Sequence, residues 1–201
     1  MPVISSTIPS RMPAGVLTGS ARLICAGVLS MLASLAAAAQ DNGAHRIERD
    51  GLKLETAALE PDQVRAFFLG RGFSAEDAEH LVATGCVFRS SIANAGTTPD
   101  APHVVISLAQ WRVTPEGGAA KPPLVREDWA TTWAARGVAE DAAVAFHWAL
   151  FPTEQTLAAS DYNWGMLTLG QPAGTRLALD VTWRTGDTTH KQRLENLRCG
   201  K

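Results

Sequence analysis

Acidic residues are missing from the first 39 positions, and so are Lys and His; the only charges there are Arg11 and Arg22. What stands in their place is LICAGVLSMLASLAAAA, directly after Arg22 and apolar apart from Ser30 and Ser34. The chain then turns polar at QDNGAHRIERDG. A basic stretch, a short apolar stretch and small residues before a polar boundary define a secretory signal peptide. Ala37 and Ala39 supply the small pair, so residues 1–39 are read as a cleaved signal and Gln40 as the first mature residue. The apolar run is shorter than the ~20 residues a membrane span needs. Cys25 precedes most of the apolar run and follows Ile24, the wrong order for lipid attachment. Met12 would start a signal of more ordinary length.

No second apolar run approaches membrane length, so no stable membrane insertion is expected after cleavage. The mature part, residues 40–201, has the length of a single domain. Losing the signal removes two of the 18 basic residues and none of the 20 acidic ones, taking the net charge from −2 to −4. A mildly acidic domain gives no electrostatic basis for holding nucleic acid.

Cysteine is scarce. There are three, of which Cys25 leaves with the signal, so Cys86 and Cys199 remain. In an oxidising compartment two cysteines most simply pair. Their distance in sequence argues against redox chemistry, which favours C-x-x-C. A structural Cys86–Cys199 disulfide is expected, in a periplasmic or secreted protein.

Catalytic signatures are missing as well. There is no G-x-S-x-G, no phosphate loop and no dinucleotide fingerprint. Ser160-Asp161 with His147 or His190 forms a triad only on paper, leaving a hydrolase as the weakest functional reading. Glu127-Asp128 and Glu140-Asp141 are adjacent pairs, which diverge on a helix and fit caps better than a glycosidase dyad. The five histidines stand singly at 45, 80, 103, 147 and 190. No H-x-H or H-E-x-x-H is present, and Met166 is the only methionine left after cleavage. No cofactor is expected. The alternative reading of a periplasmic metal-binding accessory protein would place copper or zinc on His103, His147 and Met166.

The patterning that is present points to a mainly β domain with α insertions. Asp50-Gly51 marks a hairpin between RIER and LKLETAAL. Pro61 opens a helix carrying Val64, Phe67 and Phe68 on one face. Ser74 caps a second helix, with Asp77 three residues on. From Cys86 the period becomes two. CVFRSSIAN alternates, with Arg89 and Ser91 opposite Cys86, Phe88 and Ile92. HVVISLAQWRV shows apolar residues on both parities and reads as an interior strand. Trp129 and Trp133 are spaced for a short helix that Gly137 ends. AAVAFHWALF, with Val144, Phe146, Trp148 and Leu150 in one parity, reads as a strand. In RLALDVTWR the apolar residues alternate cleanly with Arg176, Asp180 and Arg184. HKQRLENLRC reads as a last strand, and Leu194 and Leu197 require a bulge or a helical stretch there.

Six or seven strands with two short N-terminal helices predict an antiparallel β-sandwich, immunoglobulin-like in pattern only. The spacing of Cys86, Trp111 and Cys199 is too long for an antibody-type domain.

The strongest functional hint is Asp161-Tyr162-Asn163-Trp164-Gly165, which puts the only tyrosine of the chain beside a tryptophan in a polar segment read as a loop. Tyr and Trp give large contact area with few rotamers to freeze. Tyr162, Asn163 and Trp164 are therefore candidates for binding an envelope protein or a small ligand through loops, in a non-enzymatic exported domain. The export reading has a direct test: the intact mass of the protein recovered after export corresponds to a chain beginning at Gln40.

Overall fold

The computed structural model describes residues 43–201, so the signal segment and its cut lie outside the described residues. Local signals decide the first third. Asp50 and Gly51 both take positive φ, 48° and 81°, the backbone a two-residue hairpin turn requires. They join β1 (His45–Arg49) to β2 (Leu52–Ala58). Helix α1 (Pro61–Leu69) begins on Pro61, and the Glu60 N–H donates to the Gln63 side chain at 2.9 Å. Helix α2 (Ala75–Thr84) is capped by Ser74, whose hydroxyl oxygen accepts from the Asp77 N–H.

The remaining strands are β3 (Val87–Asn94), β4 (Val104–Ser107), β5 (Arg112–Pro115), β6 (Glu154–Leu157), β7 (Tyr162–Thr168), β8 (Arg176–Thr185) and β9 (Thr188–Arg198). They form two antiparallel sheets. The first has the order β1-β2-β3-β7; in the second, β8 pairs with β9, β4 and β5, and β6 pairs with β4. One core joins the sheets, drawing Ile47, Leu54, Phe88, Ile92 and Leu167 from the first and Val104, Trp111, Leu179, Val181 and Trp183 from the second.

HVVISLAQWRV is not one strand. A 3-10 turn at Leu108–Gln110 separates β4 from β5, and both halves pair with the same strand, β8. Val104, Ile106 and Leu108 are buried before and within the turn, Trp111 and Val113 after it. The apolar residues of both parities therefore face one core. Of the two alternatives for the last strand, a bulge or a helical stretch, the bulge is present: Leu179 pairs with Leu194 but Leu177 with Leu197, and Asn196 between them takes φ 60°. The extra residue lets both leucines point inward.

Among the described residues there are four α-helices, where the sequence predicts two near the N-terminus and a short one at Trp129 and Trp133. Helix α3 (Arg126–Arg136) carries Trp129 and Trp133, as expected. The segment read as a strand, AAVAFHWALF, is mostly α4 (Glu140–Ala149). Its buried residues are Ala142, Phe146 and Ala149, spaced by four and three, whereas Val144 and Trp148 are half exposed or more. The apparent alternation arose because large residues happened to fall on even positions. Alanine content and the acidic first turn, Glu140-Asp141, favour the helix.

The helices build a second core against the outer face of the first sheet. Phe68, Phe73, Phe146, Trp129 and Trp133 pack together with Val87 of β3 and Met166 of β7. Trp129 and Trp133 stack with centroids 4.9 Å apart. The Trp129 indole N–H donates to the Thr168 hydroxyl at 2.8 Å, tying α3 to β7. Arg136 donates to the Asp77 carboxylate at 2.7 Å, joining the end of α3 to the start of α2. The Ser74 hydroxyl first, and Arg136 with it, hold the Asp77 carboxyl below its ordinary range.

Cys86 and Cys199 are disulfide-bonded, with Cα atoms 5.1 Å apart. The bridge connects the start of β3 in the first sheet to the chain just past β9 in the second. It spans 113 residues, a loop whose constraint on the unfolded chain is worth about 4–5 kcal/mol in the chain-entropy view. Replacing both cysteines by alanine is expected to lower the urea midpoint by a corresponding amount while far-ultraviolet circular dichroism stays native; equal midpoints for the two proteins would count against this role.

Candidate recognition surface

Strand β7 has different neighbours along its two faces. Its inward residues are Asn163, Gly165 and Leu167, opposite Ile92, Ser90 and Phe88 of β3. Its outward residues are Tyr162, Trp164 and Met166, opposite Ala93, Ser91 and Arg89. The helices cover Met166, which is 7% exposed, but not Trp164 at 69% or Tyr162 at 75%. Such large apolar side chains left in solvent on one face are the unusual feature of this sheet. Trp111, Trp129, Trp133 and Trp183 are buried by contrast.

These residues were expected in a loop, and that expectation is corrected: all three lie in β7. Asp161 and Asn163 have turn chemistry by type, but each serves a different purpose. The Asp161 carboxylate accepts the Ala158 N–H at the turn leading into the strand. Asn163 points inward, its amide N–H donating to Gln155 of β6 at 2.7 Å and its Oδ1 accepting the Trp164 N–H at 2.8 Å. It links the two sheets and occupies an edge donor of β7. Gly165 is where the chain leaving α4 crosses the strand; a Cβ there would stand 3.0 Å from the Phe151 nitrogen.

The register places a trough beside the aromatic pair. Its floor is Ser91 and Ala93 of β3, both small. Across from Trp164 and Ser91 lies Glu55, and across from Tyr162 and Ala93 lies Lys53. Beyond these come Arg46 and Glu48 of β1. Two adjoining depressions of about 350 and 360 Å³ follow this line and share Glu55 and Ser91. The far wall is self-paired, with Arg46 to Glu55 and Lys53 to Glu48 both at 2.9 Å. The Arg46 guanidinium, by its hydrogen bond and charge, holds the Glu55 carboxyl below its ordinary range; Arg89 adds a weaker pull. Arg89, in register with Ala57 and Met166, lines the end of the trough nearest the helices. None of this far wall stood out by residue type, because it depends on pairing between distant strands.

The other candidates are placed elsewhere. His103 is exposed just before β4 of the second sheet, His147 is exposed on α4 near Arg126, and Met166 is buried under the helices. Among the described residues, no three His, Cys, Asp or Glu side chains are grouped to hold a metal ion. The paper triad is also separated. The Ser160 hydroxyl donates to the Gly96 carbonyl, while His190 stacks on Trp183 beside Asp50. A larger depression, about 570 Å³, lies at the β5, β8 and β9 end of the second sheet. Its charged lining, Arg176, Arg193 and Arg198 with Glu116 and Glu195, contains no aromatic side chain, so the trough on the first sheet is the better candidate for a recognition surface.

Trp148 is a third exposed aromatic, on α4, with the Arg126 guanidinium 5.9 Å from its ring. Burial lowers the pKa of Arg126, whose guanidinium also donates to the Leu150 carbonyl. No protein family, curated protein or solved structure matches this chain.

Adjacent positions in β7 should therefore respond oppositely to substitution. Trp164→Ala is expected to change folding stability by no more than about 0.5 kcal/mol, as at exposed sites. Gly165→Val is expected to cost about 2 kcal/mol or more, because its side chain has no room beneath Phe151. Urea unfolding of the two variants checks both.

Proposed function

We propose that this protein is an exported, non-catalytic recognition domain of the periplasm or the cell exterior, and that its working surface is the uncovered half of the first sheet. The exposed pair Tyr162 and Trp164 carries the reading. Both belong to one strand of the first sheet, both project from one face, and neither contributes to either apolar core. Rigid aromatic anchors beside polar side chains are a common composition for recognition surfaces.

The export part rests on residues 1–39 and on the disulfide, which fits an oxidising compartment. No helix among the described residues is long and apolar enough to cross a membrane. The two sheets sharing one core fit a β-sandwich, a framework that hosts many functions and itself specifies none.

The test uses the mature protein and its Tyr162→Ala/Trp164→Ala variant, each immobilised and exposed to envelope extract from the producing cell. The wild type is expected to retain a defined protein or glycan fraction and the variant to lose it, with thermal midpoints agreeing to within a few degrees. Equal retention by the two would remove the basis of the proposal, and so would unfolding of the variant.

A further inference from the structure

The trough narrows the chemistry of its ligand, given that the recognition reading above holds. Its floor is made of paired strands. The register runs without interruption from β2 through β3 to β7 across Lys53–Ala57, Arg89–Ala93 and Tyr162–Met166. The main-chain groups beneath a ligand are thus already used in the ladders. Along the outer edge of β7, the Trp164 N–H is taken by Asn163 and the Met166 carbonyl by the Phe151 N–H. An extended peptide, which draws affinity from main-chain pairing, finds little template here. Side chains must supply the binding groups.

Those side chains form two unlike walls. One is aromatic and apolar, Tyr162 and Trp164. The other presents the donors of Arg46 and Lys53 and the acceptors of Glu48 and Glu55, two cations against two anions already paired. Such a wall offers hydrogen-bonding groups of both kinds and almost no net field; Arg89 adds a single positive charge at the end nearest the helices. A strongly charged ligand would have to break these pairs. A neutral ligand with one apolar face and a hydroxyl-bearing edge would not.

Dimensions agree with a short polymer. Tyr162 and Trp164 are two residues apart on one face, about 7 Å along the strand, and the floor from Arg89 to Ala93 runs about 13 Å. The first distance is the scale of one pyranose ring and the second of two to three. A pyranose stacks its C–H face on an aromatic ring and turns its equatorial hydroxyls outward, the division of chemistry the two walls present. We infer that the trough between β7 and β2 binds a linear, neutral or weakly acidic oligosaccharide, stacked on Trp164 and Tyr162 and hydrogen-bonded by Glu55, Lys53 and Arg89.

The test titrates the full mature protein with cellotetraose, chitotetraose and maltotetraose up to millimolar concentration, and with a proline-rich decapeptide. Tryptophan fluorescence and calorimetry give the readout. At least one tetrasaccharide is expected to bind, Trp164→Ala to weaken it about tenfold or more, and Ser91→Trp, which fills the floor, to abolish it with the thermal midpoint unchanged. No saccharide binding overturns the inference. If the peptide binds instead and Trp164→Ala weakens it, the surface is still a recognition site but its ligand class is wrong. If a saccharide binds equally well to Trp164→Ala, both the inference and the assignment of this surface fail.

Discussion

A β-sheet can have apolar residues on both faces only where both faces are covered, and the first sheet of this protein is covered unequally. Its inner face packs against the second sheet along its length, through Ile47, Leu54, Phe88, Ile92 and Leu167. Its outer face meets the helices only around Val87 and Met166. The helical core depends on this arrangement, because Trp129, Trp133 and Phe146 need the strand surface beneath them to complete their burial. The exposed trough depends on it too, since it occupies the part of the same face that the helices leave open. One strand, β7, crosses the boundary between the two regimes within five residues.

The remaining fixed points maintain this geometry. The disulfide holds the entry of β3 to the end of β9. Asn163 bonds across to Gln155, and buried Asn94 donates to the carbonyls of Pro102 and Leu157 while accepting the Gly96 N–H. These side chains fasten the open edge of the two sheets with satisfied polar contacts, which in a dry interior cost little when complete and much when broken. The aromatic pair is thus held on backbone anchored from both sides, a condition that reduces the ordering cost of binding.

Much of this was legible in the sequence wherever the signal was local. Asp50-Gly51, Pro61, Ser74 and Gly137 marked turns and caps whose chemistry acts over a few residues. The Cys86–Cys199 pairing followed from counting. Helix α4 was misread because Val144, Phe146, Trp148 and Leu150 imitate a period of two, while small Ala142 and Ala149, which actually face the core, weigh little in a count of large apolar residues. Tyr162 and Trp164 stood out by type but were placed in a loop, since Asn163 and Gly165 resemble turn residues until a sheet edge and a crossing chain explain them. The wall opposite them could not be found by inspection: Glu55 and Lys53 lie over 100 residues earlier and reach the aromatics only through β3. Local chemistry could be read directly, whereas juxtaposition depends on register.

The 3-10 turn at Leu108–Gln110 has a consequence of another kind. It works as a frameshift in side-chain direction, moving the apolar set from even positions to odd ones so that Leu108 and Trp111 address the same interior. Composition in the turn is free to vary at exposed Ala109 and Gln110, but length is not. Adding or removing one residue would turn Trp111 and Val113 toward water and detach the Trp111 indole from the Thr182 carbonyl. In descendants of this chain, substitutions should accumulate at those two positions while insertions and deletions are purged, so that the spacing across the turn outlasts the identity of the residues within it.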